Sequence, residues 1–141
     1  MKVMNENVEL EIKLPKLRDI ELVADKALEQ MGSYFGIPYD KIGEARIIVN
    51  EAIINSLEHA GEENPFVHVK FIMTKEKLII LVSDKGKGFN PGEIESPDIK
   101  KKITSNNKRG WGLKLMKSMS DNLVIESGES GTKISIIKNL I

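Results

Sequence analysis

Two periods of apolar residues alternate along the chain and predict its secondary structure. A period of two begins at Val8 and is ended by Pro15, which predicts a half-buried strand. Similar alternation or a short apolar run recurs in four later segments, and the short linker between the first two predicts an antiparallel hairpin. These segments are 66–73, 78–82, 123–126 and 132–137.

A period near 3.6 predicts three helices between these strands. The first covers 17–35 and is broken by Gly36. The second covers 40–60, with Asp40 as its expected N-cap residue. The third opens on the glycines of RGWG and continues to about residue 121.

Strand hairpins with helices between them predict an α+β fold, a two-layer sandwich of a mixed, mainly antiparallel sheet with helices on one face. We expect residues 1–141 to form a single domain, because this length suits one hydrophobic core. A long irregular segment, about 89–109, interrupts the pattern. We expect it to be a lid, since long connections inside compact domains are often functional.

The composition is that of an ordinary globular protein, and it argues against several classes of function. Lys and Arg total 21 and Asp and Glu also total 21, so no net charge attracts the chain to nucleic acid. No apolar run could span a bilayer, and the N-terminus has no signal-peptide core. With no cysteine and only His59 and His68, a conventional zinc site is not expected. We therefore expect a cytoplasmic protein.

The helix predicted over 40–60 carries two polar residues that attract attention. Glu51 and Asn55 are four residues apart, so they lie one turn apart on the same side of the helix. An acid and an amide on a largely apolar helix cost free energy if they are buried without partners. Viewed alone, this helix fits an amphipathic helix with a polar edge better than a functional site. Its apolar face comprises Ile42, Ala45, Val49, Ala52, Ile53 and Leu57.

Two glycine-containing segments change that interpretation. DKGKGF directly follows a predicted strand, which puts Asp84 at the strand end and lets Gly86 and Gly88 bring a flat ligand close to the main chain. RGWG puts Gly110 and Gly112 at a helix start, where free N–H groups can bind an anion. Neither segment matches GxGxxG or GxxxxGK[ST], and each alone also fits a plain turn or helix entry.

Together, the three segments resemble the three motifs of the GHKL ATPase superfamily: E-x-x-x-N on a helix, D-x-G-x-G after a strand, and G-x-G at a helix start. The resemblance covers about residues 40–138 and implies a histidine-kinase-like ATPase fold. The small size and the opening strand and helix resemble the bacterial anti-sigma factor serine-protein kinases over nearly the whole chain. A histidine kinase would need a phosphoacceptor helix hairpin, whereas this chain begins with a predicted strand.

The resemblance implies a role for each motif residue. Asn55 corresponds to the asparagine that coordinates Mg²⁺, and Glu51 to the acid proposed as general base for attack on the γ-phosphate of ATP. Asp84 corresponds to the residue that accepts a hydrogen bond from the adenine amino group. Thr132 corresponds to a threonine that supports the adenine contact through water.

The remaining motif residues correspond to the base pocket and the phosphate site. Some relatives carry an arginine two positions before the first glycine of the last motif, where this chain has Lys108 followed by Arg109. Either side chain could reach the γ-phosphate, although a lysine is a point charge and not a fork. The base pocket would be shaped by Gly86 and Gly88, and the phosphate turn by Gly110, Gly112 and Leu113.

The resemblance also implies cofactors and partners. ATP and Mg²⁺ would be bound, a sigma factor would be held inactive, and an antagonist protein would be phosphorylated on serine. The family is usually homodimeric, and we expect no direct contact with nucleic acid or membrane. Two alternatives stay open: a nucleotide-gated binding module in a partner-switching pathway without phosphoryl transfer, and a simple ATPase.

Overall fold

Five strands form one antiparallel sheet in the computed structural model, which describes residues 6–63, 65–85, 109–129 and 131–141, and only the backbone of 109–111. The strand order is β1-β2-β3-β5-β4. All four pairings between these strands are antiparallel, so the sheet contains no parallel pair among the described residues. The strands are β1 (Val8–Pro15), β2 (Phe66–Met73), β3 (Lys77–Asp84), β4 (Asn122–Gly128) and β5 (Gly131–Asn139).

Three helices complete the described residues: α1 (Glu21–Phe35), α2 (Tyr39–His59) and α3 (Arg109–Met119). The predicted α+β class, with helices on one face of a mainly antiparallel sheet, is confirmed. None of the described helices is long and apolar enough to cross a membrane.

The core lies between the helices and one face of the sheet. Helix α2 packs against β2, β3 and β5, and all six residues of its predicted apolar face are buried. On the strands, buried and more exposed residues alternate, as the period of two predicts. Among the described residues, the largest fully buried side chain is that of Phe71 in the middle of β2.

The predicted starts of the first two helices are wrong by one to four residues. Helix α1 begins at Glu21 and not at residue 17, because Asp19 has φ 59°, a left-handed conformation that a helix cannot contain. Helix α2 begins at Tyr39, with Pro38 as the N-cap residue and no side-chain cap. Asp40 therefore lies in the first turn, where its charge suits the helix dipole.

A cluster of charged and polar side chains, the Asp25 cluster (Asp25, Glu29, Arg46 and Asn50), joins α1 to α2. Arg46 donates two hydrogen bonds to the buried carboxylate of Asp25, at 3.0 Å and 2.8 Å, and contacts Glu29 at 2.8 Å. Asn50 adds a third hydrogen bond to Asp25 at 3.3 Å. The Arg46 guanidinium holds the pKa of Asp25 below its ordinary value, although burial opposes that shift. This cluster orients the helix that carries Glu51 and Asn55.

Candidate functional site

Helix α2 buries the side chain of Asn55. Asn55 is only 2% exposed, and neither its amide oxygen nor its amide nitrogen has a hydrogen-bond partner among the described residues. Such unsatisfied groups are rare in folded proteins and cost free energy. One turn later, His59 Nδ1 donates to the main-chain carbonyl of Asn55 at 2.8 Å, as expected of a residue at the helix end. The orphaned amide indicates a position adapted to a ligand.

Glu51 lies directly against the start of α3. A Cβ added at Gly112 would overlap the Glu51 carboxylate, so only glycine leaves room for this contact. Leu113 and Met116, both fully or nearly fully buried, anchor α3 in the core. An anionic side chain is favourable beside the first turn of a helix, where free N–H groups carry partial positive charge. The first and third sequence motifs therefore meet through Glu51 and Gly112.

Asp84 and Thr132 are paired across the sheet. Asp84 ends β3 and Thr132 is the second residue of β5; they are register partners and both are buried. On the other side of Thr132, Ser127 of β4 is its register partner, and the two hydroxyl oxygens are 3.0 Å apart. These three side chains form one row, which we call the polar row (Asp84, Thr132 and Ser127).

Gly131 holds the main chains of β3 and β5 close together at the polar row. Its φ is 128°, which favours glycine, and an added Cβ would overlap the carbonyl oxygen of Asp84. Any side chain at this position would push β5 away from Asp84. The glycine before Thr132 is thus required by the geometry that brings Thr132 to Asp84.

A cavity of about 370 Å³ opens at the ends of β3, β5 and β4. Its lining includes the whole polar row together with Gly128 and Gly131. This volume falls within the range of small-molecule sites, and a carboxylate beside hydroxyl groups can read the hydrogen-bonding edge of a flat heterocycle. A larger hollow of about 460 Å³, on the sheet face away from the helices, contains none of the predicted site residues.

The donors present fit a hard cation that brings most of its own ligands. No group of three or more His, Cys, Asp or Glu side chains in the described segments could hold a metal ion. A cation at the Asn55 oxygen would therefore take its other ligands from phosphate and water. Mg²⁺ binds in this way, and it accepts an uncharged oxygen.

Several predicted site residues are only partly covered by the structure or lie outside it. Gly86, Gly88 and Lys108 lie outside the described residues, as does most of the predicted lid. The backbone of Arg109 and Gly110 forms the start of α3. Leu113 turns its side chain into the core, so only its main chain could serve a phosphate.

Ser127 was not among the residues predicted for the site. The position of Ser127 in the turn-forming segment SGESG indicates only a connection between two strands. The predicted hairpin could have indicated this role, because a tight connection between β4 and β5 makes Ser127 the cross-strand neighbour of Thr132.

The fold and the arrangement of these motifs are those of a nucleotide-binding ATPase domain, and the comparison with known families agrees. The pattern of the histidine kinase-like ATPase domain matches residues 15–138. The chain belongs to this family.

Curated proteins that are similar to this chain include serine-protein kinases. The chain is 30% identical over 136 residues to the serine-protein kinase RsbW of Staphylococcus aureus strain MSSA476, covering 92% of this chain and 85% of the relative. The RsbW kinase of strain JH9 matches with the same identity and coverage.

Two solved structures share the fold. One contains the RsbU and RsbW domains of Rv1364c from Mycobacterium tuberculosis, with a TM-score of 0.68 and 16% identity over 94% of this chain. This chain covers 32% of that longer chain. The other is the histidine kinase domain of the blue-light activated kinase from Erythrobacter litoralis EL346, with a TM-score of 0.52 and 19% identity. This match covers 82% of our chain and 60% of the histidine kinase domain chain.

Proposed function

We propose that this chain is an ATP-binding protein-serine kinase and anti-sigma factor, which holds a sigma factor inactive and phosphorylates an antagonist protein on serine. The observation that carries the proposal is the contact between Glu51 and Gly112, with the buried Asn55, whose amide has no partner among the described residues, one turn away on the same helix. It brings together an acid, a metal-binding oxygen and a helix start. The similarity to the RsbW serine-protein kinases supports the choice of a protein substrate.

The polar row and the start of α3 would bind the two ends of ATP. Asp84 accepts a hydrogen bond from the adenine amino group, and Thr132 supports that contact. Main-chain N–H groups at the start of α3 bind the phosphates, assisted by Lys108 or Arg109 and by the main chain of Gly110, Gly112 and Leu113. Gly86 and Gly88 would shape the base pocket. Asn55 would hold Mg²⁺, which would neutralise phosphate charge.

Glu51 would act on the incoming serine. Its carboxylate takes the proton of the serine hydroxyl while that oxygen forms a bond to the γ-phosphorus, and ADP leaves with the electrons of the broken P–O bond. The contact with Gly112 supports this role, because it keeps the carboxylate beside the helix start where the phosphates would bind.

The proposed setting is a partner switch in the cytoplasm, with the chain acting as a homodimer. The sigma factor and the antagonist protein are inferred from the family resemblance and from the similarity to RsbW. A chain that binds both could release the sigma factor when the antagonist is available. Phosphorylation of the antagonist on serine would reverse that exchange.

Calorimetry with ATP and Mg²⁺ on nucleotide-free protein is the first test of this proposal. We expect low-micromolar or tighter binding, weakened about 100-fold by Asp84→Asn, because a charge-assisted hydrogen bond is lost. Asp40→Asn is the matched control, since Asp40 is an exposed acid at the start of α2. Absence of ATP binding in the native chain would overturn the proposal.

The second step separates a kinase from a nucleotide-gated module. The native chain and Glu51→Ala are each incubated with γ-labelled ATP and an extract of the source cells, and phosphoserine is located by mass spectrometry. A kinase labels a protein only with Glu51 in place, while Glu51→Ala still binds ATP. If both proteins bind ATP and neither labels a protein, the module replaces the kinase. Steady phosphate release without any protein substrate would instead favour a simple ATPase.

A further inference from the structure

Ser127 extends the nucleotide pocket onto the edge strand of the sheet. Its Oγ lies 3.0 Å from Thr132 Oγ1, and both side chains line the cavity at the ends of β3, β5 and β4. Thr132 is only 2% exposed, and on its other side its register partner is the carboxylate residue Asp84. Whatever Thr132 presents to a ligand is therefore decided between these two neighbours.

A threonine hydroxyl has one proton to donate and two lone pairs that accept. If Ser127 donates to Thr132, the Thr132 proton stays available to the pocket. If Thr132 donates to Ser127, only its lone pairs remain, beside a carboxylate that also only accepts. The direction of this one hydrogen bond decides whether the pocket offers a donor next to the Asp84 acceptor or offers acceptors alone.

Resting on the proposed function, we propose that Ser127 is a positioning residue that donates to Thr132 and thereby commits Thr132 to donate into the pocket, so that the site selects adenine over guanine. Adenine presents an amino donor next to a ring nitrogen that accepts. Guanine presents a carbonyl acceptor next to a ring N–H that donates. An acceptor from Asp84 beside a donor from Thr132, directly or through water, matches only the first pattern.

Among the described residues that line the cavity, Ser127 is the one placed for this task. Three other side chains line the cavity, but each alternates along its strand with a residue of the polar row and so belongs to the other face of the sheet. They are Ser83, Glu126 and Lys133. Gly128 and Gly131 have no side chains to contribute. Ser127 is thus the cross-strand side chain placed to restrict the rotation of the Thr132 hydroxyl, and a restricted hydroxyl binds with less loss of entropy.

A double-mutant cycle tests this assignment. ATP and GTP affinities, each with Mg²⁺, are measured for the native chain, Ser127→Ala, Thr132→Val and the double variant. We expect Ser127→Ala to reduce the ratio of ATP to GTP affinity by about 10-fold, because a site built for one hydrogen-bonding pattern rejects the other. The double variant should match Thr132→Val alone, since Ser127 acts through Thr132. Ser135→Ala, a half-buried serine on the other face of β5, is the control.

Conservative variants keep the test decisive. Ser127→Thr retains a hydroxyl and should retain most of the selectivity, and Ser127→Cys, a close match in volume with a weak donor, replaces the alanine variant if that variant does not fold. An unchanged ATP to GTP ratio, with or without a lower melting temperature, would show a structural role only and overturn the inference. Independent, multiplying effects of the two substitutions would also overturn it. A native chain that binds neither nucleotide would instead overturn the proposed function itself.

Discussion

At the scale of single residues, the proposed binding role of Asn55 implies a cost in stability. Its amide is buried and unsatisfied among the described residues, so Asn55→Leu should remove a desolvation cost from the unliganded chain. We expect the free energy of unfolding to rise by about 1–2 kcal/mol, measured by chemical denaturation without nucleotide. The same variant should lose the Mg²⁺ dependence of ATP binding. Lower stability in the unliganded variant would contradict this account of Asn55.

Gly112 is a second residue whose role can be separated from the fold. In Gly112→Ala the new Cβ would displace the Glu51 carboxylate, which is the free end of a flexible side chain. Helix stability should therefore stay the same or rise by up to about 1 kcal/mol, as for other helical glycines replaced by alanine. We expect the rate of phosphoryl transfer to fall by at least about 10-fold, because the proposed base, Glu51, would be misplaced.

Gly43→Ala is the matched control for that experiment. Gly43 also lies inside a helix, and an added Cβ there meets nothing within 4 Å. Both variants should melt at or above the native temperature, and only Gly112→Ala should lose transfer. Equal transfer rates in the two variants would argue against Glu51 as the general base.

At the scale of elements, the joint between α1 and α2 should respond to acid. The pKa of Asp25 is lower in the folded chain than in the unfolded one, chiefly because of its hydrogen bonds from Arg46. The ionised carboxylate therefore stabilises the fold above the ordinary aspartate pKa of about 4. That stabilisation is lost as the pH falls through the lower, folded-state pKa.

Asp25→Asn measures this contribution. We expect the variant to be less stable than the native chain by about 2 kcal/mol at pH 7, because the partly buried hydrogen-bonded pair with Arg46 loses its negative charge. The deficit should shrink toward zero as denaturation is repeated at pH values down to about 2. A deficit that stays constant with pH would mean that Asp25 contributes by packing alone.

The same elements show where sequence patterns suffice and where they fail. The strands and the buried face of α2 follow from periodicity, because burial on one side of an element repeats at the period of its side chains. The start of α1 could not be predicted, since it depends on the left-handed conformation of Asp19, which the hydrophobic periodicity does not reveal. Leu115 of α3, although apolar, is 39% exposed, because it lies about 200° around the helix axis from the buried Leu113.

At the scale of the whole molecule, the candidate site exists only because separate layers meet. The motifs around Glu51, Asp84 and Gly112 are recognisable in the sequence, but the contact of Glu51 with Gly112 depends on how α2 and α3 pack. The hydrogen bond of Ser127 depends likewise on the register of the last hairpin. The motif residues could therefore be predicted from the sequence one by one. The residues that contact them could be identified only from the three-dimensional structure.

One buried lysine ties the layers together. Lys138 of β5 is 3% exposed and donates a 2.7 Å hydrogen bond to the carbonyl of Met119, at the end of α3, where helical carbonyls have no partner in their own helix. It also lies 3.4 Å from the carboxylate of Glu44 in α2. This side chain therefore links the sheet to α2, which carries Glu51 and Asn55, and to α3, whose start would bind phosphate.

Lys138→Met keeps the length of the side chain and removes its charge and donors. We expect the free energy of unfolding to fall by about 1–3 kcal/mol in denaturant titrations, because the Met119 carbonyl loses its hydrogen-bond donor. The loss of the ion pair with Glu44 should matter less, because that half-exposed carboxylate can bind water instead. Lys133→Met, at an exposed position of the same strand, is the control and should change stability by less than about 0.5 kcal/mol. If α3 is held by this lysine, ATP affinity should weaken in Lys138→Met in addition to stability. Weakened folding with unchanged ATP affinity would mean that packing of Leu113 and Met116 alone positions the start of α3.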